Sequence, residues 1–427
     1  MKIICILILL AFIMLAFLIK EKVYSPIFLF PFSFLILYIL QVLRLYGLFD
    51  ADNDSFLICT LGVFSFLIGC FIEKSFFRVS SYEVRTINIS YEVIKYKSYF
   101  IIFMLLSLAI IALYSKNSLG YLHTGGSLYD MRYSQQDALH TSGLISFLYT
   151  YIGVPIMYIE LPVCIYMFFI LGTKMIPFFG FVTVFFWFIG NGARLPLVYV
   201  ILDIICVLLL FYPVLKRHKK ITQIFVTLLF VIIFLNILSV ARKSGKNISS
   251  DSNTFVQGLY YYLGGSMINM GDKLGIVSVH NSLWGAASVY GLALPFSNLI
   301  SFSIVGNADY LFNMIQNSVI SISSMSDQPY NFGTTGFLYL FADGKITGVI
   351  IISIILGLLS QFVYEKFIIL NNLKYYVLYV FVMEGIMMFV LTDMLSGVSF
   401  AMAIIYWGIF AKSNKFIRNV KNENSNN

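Results

Sequence analysis

The amino-acid sequence predicts an all-α fold: a polytopic integral membrane protein with about eleven (ten to twelve) transmembrane helices, forming one membrane domain over residues 1–427. Three observations carry this expectation. Hydrophobic residues make up 59% of the chain and charged residues only 11%, against about a quarter charged in soluble domains. Uninterrupted apolar runs repeatedly reach the ~20 residues needed to span a hydrocarbon core. Nearly every polar stretch between them is short, and none is large enough to fold alone.

The expected spans are 3–19, 26–43, 55–72, 99–115, 144–170, 175–190, 195–212, 221–240, 346–362, 375–392 and 397–411. The first reads as a retained span rather than a leader, because it has no small-residue cleavage site and Lys20-Glu21-Lys22 follows directly. The 144–170 run is long and holds Gly153, Pro155, Glu160 and Pro162, so a kink or partial re-entry is expected there. Five cysteines (Cys5, Cys59, Cys70, Cys164, Cys206) all lie in apolar runs with no CxxC or Cys/His spacing, which argues against a zinc site or a disulfide framework.

Lysine and arginine set the orientation. They cluster in 73–98, in 213–220 and in the tail after residue 411, which places those segments and the C-terminus in the cytoplasm. The same distribution, short basic loops between apolar runs, removes the nucleic-acid reading that a net charge of +8 invites. With eleven spans the N-terminus falls outside. Two larger segments then face outward, residues 116–143 and residues 241–335. Within the second, the moderately apolar stretch Ser282 to Val305 is broken by Gly285, Gly291 and Pro295, and reads as a surface or re-entrant helix.

The outer polar residues are few enough to weigh singly. Arg132 stands between Tyr129 and Tyr133 just after Gly125-Gly126. Guanidinium suits phosphate and tyrosine faces suit sugar rings, although an interfacial aromatic belt has the same composition. Arg194, in the short turn Asn191-Gly192-Ala193-Arg194, lies close to the apolar boundary and needs an acid or an anionic ligand. The acids inside apolar runs are Glu160, Asp203 and Glu384. Asp203 is about 13 Å deeper on the same helix, too far for simple pairing. Arg242 and Lys243 put positive charge outside, against the topological bias, as contacts to a lipid-linked phosphate or to anionic lipid would. His280 is the candidate general base. Asp343, in Phe341-Ala342-Asp343-Gly344-Lys345, sits where the large loop re-enters the membrane, with Gly344 and Gly348 permitting a turn or close approach. Asp272, Asp309 and Asp327 are further outer acids. P-loop, HExxH and GxSxG motifs are absent. The DxD pair Asp50-Ala51-Asp52 lies on the outer face, away from cytoplasmic nucleotide sugars.

The chain resembles the Wzy-type O-antigen, or oligosaccharide repeat-unit, polymerases of bacterial envelopes. The resemblance covers most of the chain: many spans, a medium outer loop, a large late outer loop and two or three final spans. Arg132 and Gly143 fit the family's Arg-x10-Gly pattern, whereas the residue eleven after Arg242 is Asn253. His280-Asn281 followed by Gly291 is similar to the histidine motif of the related O-antigen ligases, departing from it at Leu294, and the Asp343-Gly344…Gly348 re-entry is similar to the polymerases.

The resemblance implies an inner-membrane, metal-independent inverting glycosyltransferase with periplasmic loops at 116–143 and 241–335. It implies no cofactor. Its expected partners are an undecaprenyl-diphosphate-linked oligosaccharide, the bilayer and a chain-length regulator protein. A growing glycan would pass from undecaprenyl diphosphate to the terminal sugar of a lipid-linked repeat unit. Arg132, Arg194, Arg242 and Lys243, with Tyr129 and Tyr133, would bind diphosphate and substrate, and His280 or Asp343 would take the hydroxyl proton. The alternatives are a lipid-linked oligosaccharide flippase, an O-antigen ligase and a non-enzymatic scaffold.

Overall fold

The computed structural model describes residues 1–76, 86–123, 143–191, 195–244, 255–297, 303–317, 320–325, 330 and 333–411. Fifteen helices account for nearly all of them, and strand-like pairing among the described residues is limited to two isolated bridges. The helices are α1 (Lys2–Leu18), α2 (Pro26–Leu43), α3 (Asn53–Phe76), α4 (Thr86–Lys95), α5 (Lys97–His123), α6 (Gly143–Leu171), α7 (Met175–Asn191), α8 (Leu195–Arg217), α9 (Ile221–Ser244), α10 (Phe255–Val279), α11 (Tyr290–Ser297), α12 (Ser303–Asn317), α13 (Phe337–Leu370), α14 (Leu373–Met388) and α15 (Val398–Phe410). Every expected span falls on one of them.

Six helical stretches among the described residues are long and apolar enough to cross a membrane: Pro26–Leu43, Asn53–Phe76, Lys97–Lys116, Gly143–Leu171, Pro196–Arg217 and Phe337–Leu370. Shorter apolar helices occupy Lys2–Leu18, Met175–Gly190, Ile221–Ile233 and Val398–Ile409.

Helix α6 is irregular for a reason written in its prolines. Wide π-helical turns at Tyr149–Gly153 and Met167–Leu171 flank a regular stretch holding Pro155 and Pro162. Proline has no N–H to return to the carbonyl one turn back, and hydrocarbon offers no water in its place. Hydroxyls from three other helices satisfy the exposed carbonyls. Ser107 of α5 donates to the Gly153 carbonyl (2.8 Å), Ser399 and Tyr406 of α15 to Thr150 (2.8 Å) and Tyr151 (2.7 Å), and Tyr376 of α14 to Pro162 (3.0 Å). Where the sequence led to an expected kink or partial re-entry, the irregularity observed is this pair of π-helical turns.

The closest pairing in the bundle is α3 on α13. A Cβ at Gly69 would stand 2.1 Å from the Ile354 carbonyl oxygen, and one at Gly357 only 2.0 Å from that of Phe66. Both glycines are therefore obligatory, in the small-residue mode by which membrane helices approach.

One end of the bundle carries a cap. Segment 320–325 returns to the α2–α3 connection, with the Phe49 N–H donating to the Ile322 carbonyl (2.8 Å) and that of Ser324 to Gly47 (3.0 Å). Leu48, Tyr260, Tyr261, Ile322 and Tyr330 form a small core of their own there. The 241–335 segment is thus largely folded: it contains α10, α11 and α12, whereas the sequence pointed only to the Ser282–Val305 stretch. That stretch is a turn over 284–289, then α11 and the start of α12. At the opposite end Lys74 pairs with Glu21, and Glu92 of α4 accepts the Leu373 N–H (2.7 Å).

Candidate functional site

Helix α13 breaks at the capped end. Gly344 has φ −162° and Lys345 has φ 55°, ψ −140°. A lysine in that region is strained and persists only where its surroundings hold it. The holding contacts are specific. Lys345 Nζ donates to the carbonyls of Val277 and His280 (2.5 and 2.7 Å), closing the C-terminal end of α10. A cation there also meets the negative end of the helix dipole. Gly348 lets the two arms of the break lie together, since a Cβ would meet the Leu340 oxygen at 2.5 Å. This fulfils the role expected of Gly348; around Gly344 there is open space.

Asp343 is buried beside the break. Its two carboxylate oxygens accept the N–H groups of Ala287 (2.7 Å) and Ser288 (2.9 Å). The Leu283 and Trp284 N–H groups bond the carbonyls of Ala342 and Asp343 (3.1 and 2.9 Å). Four bonds thus clamp the 283–288 turn onto the break. Asp343 was one of two candidates for general base. Its oxygens are committed to backbone donors, so its visible work is to shape the turn.

His280 lies just past α10. Its Nδ1 bonds the Ile276 carbonyl at 2.8 Å. A carbonyl only accepts, so Nδ1 carries the hydrogen and Nε2 is the basic nitrogen of the neutral ring. The ring lies 6.3 Å, centroid to centroid, from that of Tyr310. The structure therefore brings His280 and Asp343 into one neighbourhood, joined by Lys345, without a direct hydrogen bond between them.

Sequence reasoning passed over Asp393 in the turn before α15. It is buried, its Oδ1 accepts the Leu395 N–H (3.0 Å), and its Oδ2 has no partner among the described residues. Burial foremost pushes its pKa up to about 8; the Leu395 N–H opposes the shift and the nearby Asp343 adds to it. Gly291, at the start of α11, sits against this turn, where a Cβ would lie 2.6 Å from the Gly397 backbone. Asp309 of α12 accepts from Tyr290 Oη (2.8 Å) and Asn313 Nδ2 (3.4 Å). Burial, then that bond and charge, raises the Tyr290 pKa. The local signal for Asp393, an acid two residues before a turn N–H, was available, but its burial is tertiary.

The other expected site residues divide clearly. Tyr129, Arg132, Tyr133, Arg194 and Asp327 lie outside the described residues. Arg242 and Lys243 belong to the last turn of α9. Asp272 pairs with the buried Lys273 at 2.9 Å. Asp50 of the DxD pair is held by Lys2 and Arg44. Of the three acids proposed as partners for Arg194, Asp203 of α8 and Glu384 of α14 are buried on neighbouring helices. Glu160 is buried within α6.

Among the described residues no group of three or more His, Cys, Asp or Glu side chains could hold a metal ion. No protein-family model, curated protein or solved structure matches the chain.

Proposed function

We propose that this chain is a bacterial inner-membrane glycosyltransferase that polymerises lipid-linked oligosaccharide repeat units on the outer face of the membrane, crossing it eleven times with its C-terminus in the cytoplasm. The observation that supports this best is the broken α13, which gathers His280, Asp343 and Lys345 under a folded outer cap. A lipid-linked sugar presents its diphosphate at that depth. In the reaction a hydroxyl of the acceptor sugar attacks the anomeric carbon of the donor glycan. The new glycosidic C–O bond forms as the bond to the lipid diphosphate breaks. The proton passes to Nε2 of His280, and Arg132, Arg194, Arg242 and Lys243 stabilise the departing diphosphate.

The test is the surface glycan of a deletion strain beside its parent. Core plus one repeat, restored to a ladder by the intact gene and not by Arg132→Ala at equal protein level, is the expected result. A full ladder in the deletion strain refutes the polymerase. One observation favours a second reading: the buried acids Asp203 and Glu384 on neighbouring helices α8 and α14 are the kind of groups a proton-coupled flippase uses. Loss of the single-repeat band with accumulation of lipid-linked units inside the cell would select it.

A further inference from the structure

Trp284 is held in an unusual way. Its φ is +52° and that of the following Gly285 is +95°. For a bulky residue the first value is a true outlier that persists only where its surroundings hold it. The strain is over-determined by neighbours already described: the Leu283, Trp284, Ala287 and Ser288 N–H groups all bond Ala342 or Asp343. Leu283 on one side and Ala287 on the other are buried, so the turn is anchored at both ends. Trp284 between them is 84% exposed, whereas Trp187 and Trp407 are buried. The clamp thus fixes the Trp284 backbone beside the break in α13 and leaves its indole exposed. The adjoining elements carry polar groups: His280 at the end of α10, the exposed Tyr310, and the Tyr290–Asp309–Asn313 set.

We propose that Trp284 is the stacking platform of a saccharide-binding subsite, against which the C–H face of a pyranose lies while these neighbours meet its hydroxyls. The inference rests on the polymerase reading and names which part of the outer end receives sugar. An exposed indole on a fixed backbone, with hydrogen-bonding groups on the adjoining elements, suits an amphipathic ring, apolar on its face and polar on its edge. A tryptophan serving only as an interfacial anchor needs no strained mount, because anchoring depends on depth and not on orientation.

The single exposed indole makes the test direct. The full chain is placed in nanodiscs, and its emission is followed while titrating the oligosaccharide released by mild acid from the source cell's surface glycan. The expected result is a blue shift with reduced acrylamide quenching, both absent in Trp284→Phe, and binding about tenfold weaker in Trp284→Ala. Strong quenching of Trp284 by brominated lipid, with no response to oligosaccharide, overturns the proposal in favour of a membrane anchor. The glycan ladder separates the two levels. A silent Trp284 beside a collapsed ladder in the deletion strain removes the platform and leaves the polymerase. A full ladder in the deletion strain removes the polymerase, and the titration then decides the saccharide site alone.

Discussion

Asp393 and Asp343 show how much a single carboxyl can do at the capped end. Asp393 holds its proton far more tightly in the folded chain than in an unfolded one, where the ordinary value is 3.8. A raised folded pKa means that the contribution to stability is complete below the unfolded value and is lost as pH rises through about 8. Purified protein in detergent should therefore melt at progressively lower temperature between about pH 4 and pH 8 and level off above that. Asp393→Asn, neutral throughout, should flatten that slope; an unchanged slope would show that another group is responsible. Asp343 makes a different prediction. Asp343→Ala strands two buried N–H groups and should cost about 2–4 kcal/mol, whereas Asp343→Asn keeps one acceptor and should cost about half as much. Thermal unfolding of the three proteins side by side checks it, and equal stabilities would remove the clamp. The sequence marked Asp343 because it stands where the large loop is expected to re-enter the membrane, with Gly344 and Gly348 close by. Asp393 offered only its local capping pattern and Trp284 none, since the burial of one and the exposure of the other depend on what folds over or away from them.

At the scale of elements, apolar run length made the bundle legible, as hydrocarbon thickness imposes it. Helix α10 escaped notice for the complementary reason. Its residues Gln257, Gly258, Gly264, Gly265, Ser266, Asn269 and Gly271 dilute the apolar signal, yet Gly264 and Gly265 are there because Leu48 and Tyr330 press against them. The α3–α13 contact gives the sharpest test of an element pair. Gly357→Ala drives a methyl onto the Phe66 carbonyl and should cost about 3 kcal/mol or more. The same change at Gly344, which meets open space, should be far milder. Melting temperatures of the two variants measure the difference, and similar losses would mean that the helices slide apart freely.

For the whole molecule, the two ends of the bundle make a statement about sidedness that chemistry can read. The native cysteines of the described chain are all buried, so introduced thiols report alone. Met325→Cys lies in the cap and Lys20→Cys at the opposite end, both exposed. A membrane-impermeant maleimide should label the first in intact spheroplasts and the second only after permeabilisation. Labelling of both from outside would break the topology and, with it, the polymerase. An expectation of sidedness was legible in the sequence, from its lysine and arginine clusters. The cap's own architecture was not, since it is assembled from tyrosine hydroxyls reaching the carbonyls of residues distant in sequence, as Tyr261 does to Tyr46 and Tyr330 to Tyr262.

The wide turns of α6 carry a consequence for biogenesis. Thr150 and Tyr151 emerge from the ribosome about 250 residues before the hydroxyls of Ser399 and Tyr406 that satisfy their carbonyls. Until α15 is inserted, those oxygens face lipid or borrow water from the translocon. The packing of α6 is thus completed only by the last helix, and a nascent chain stalled before α15 would present quality-control proteases with unsatisfied carbonyls on an apolar helix.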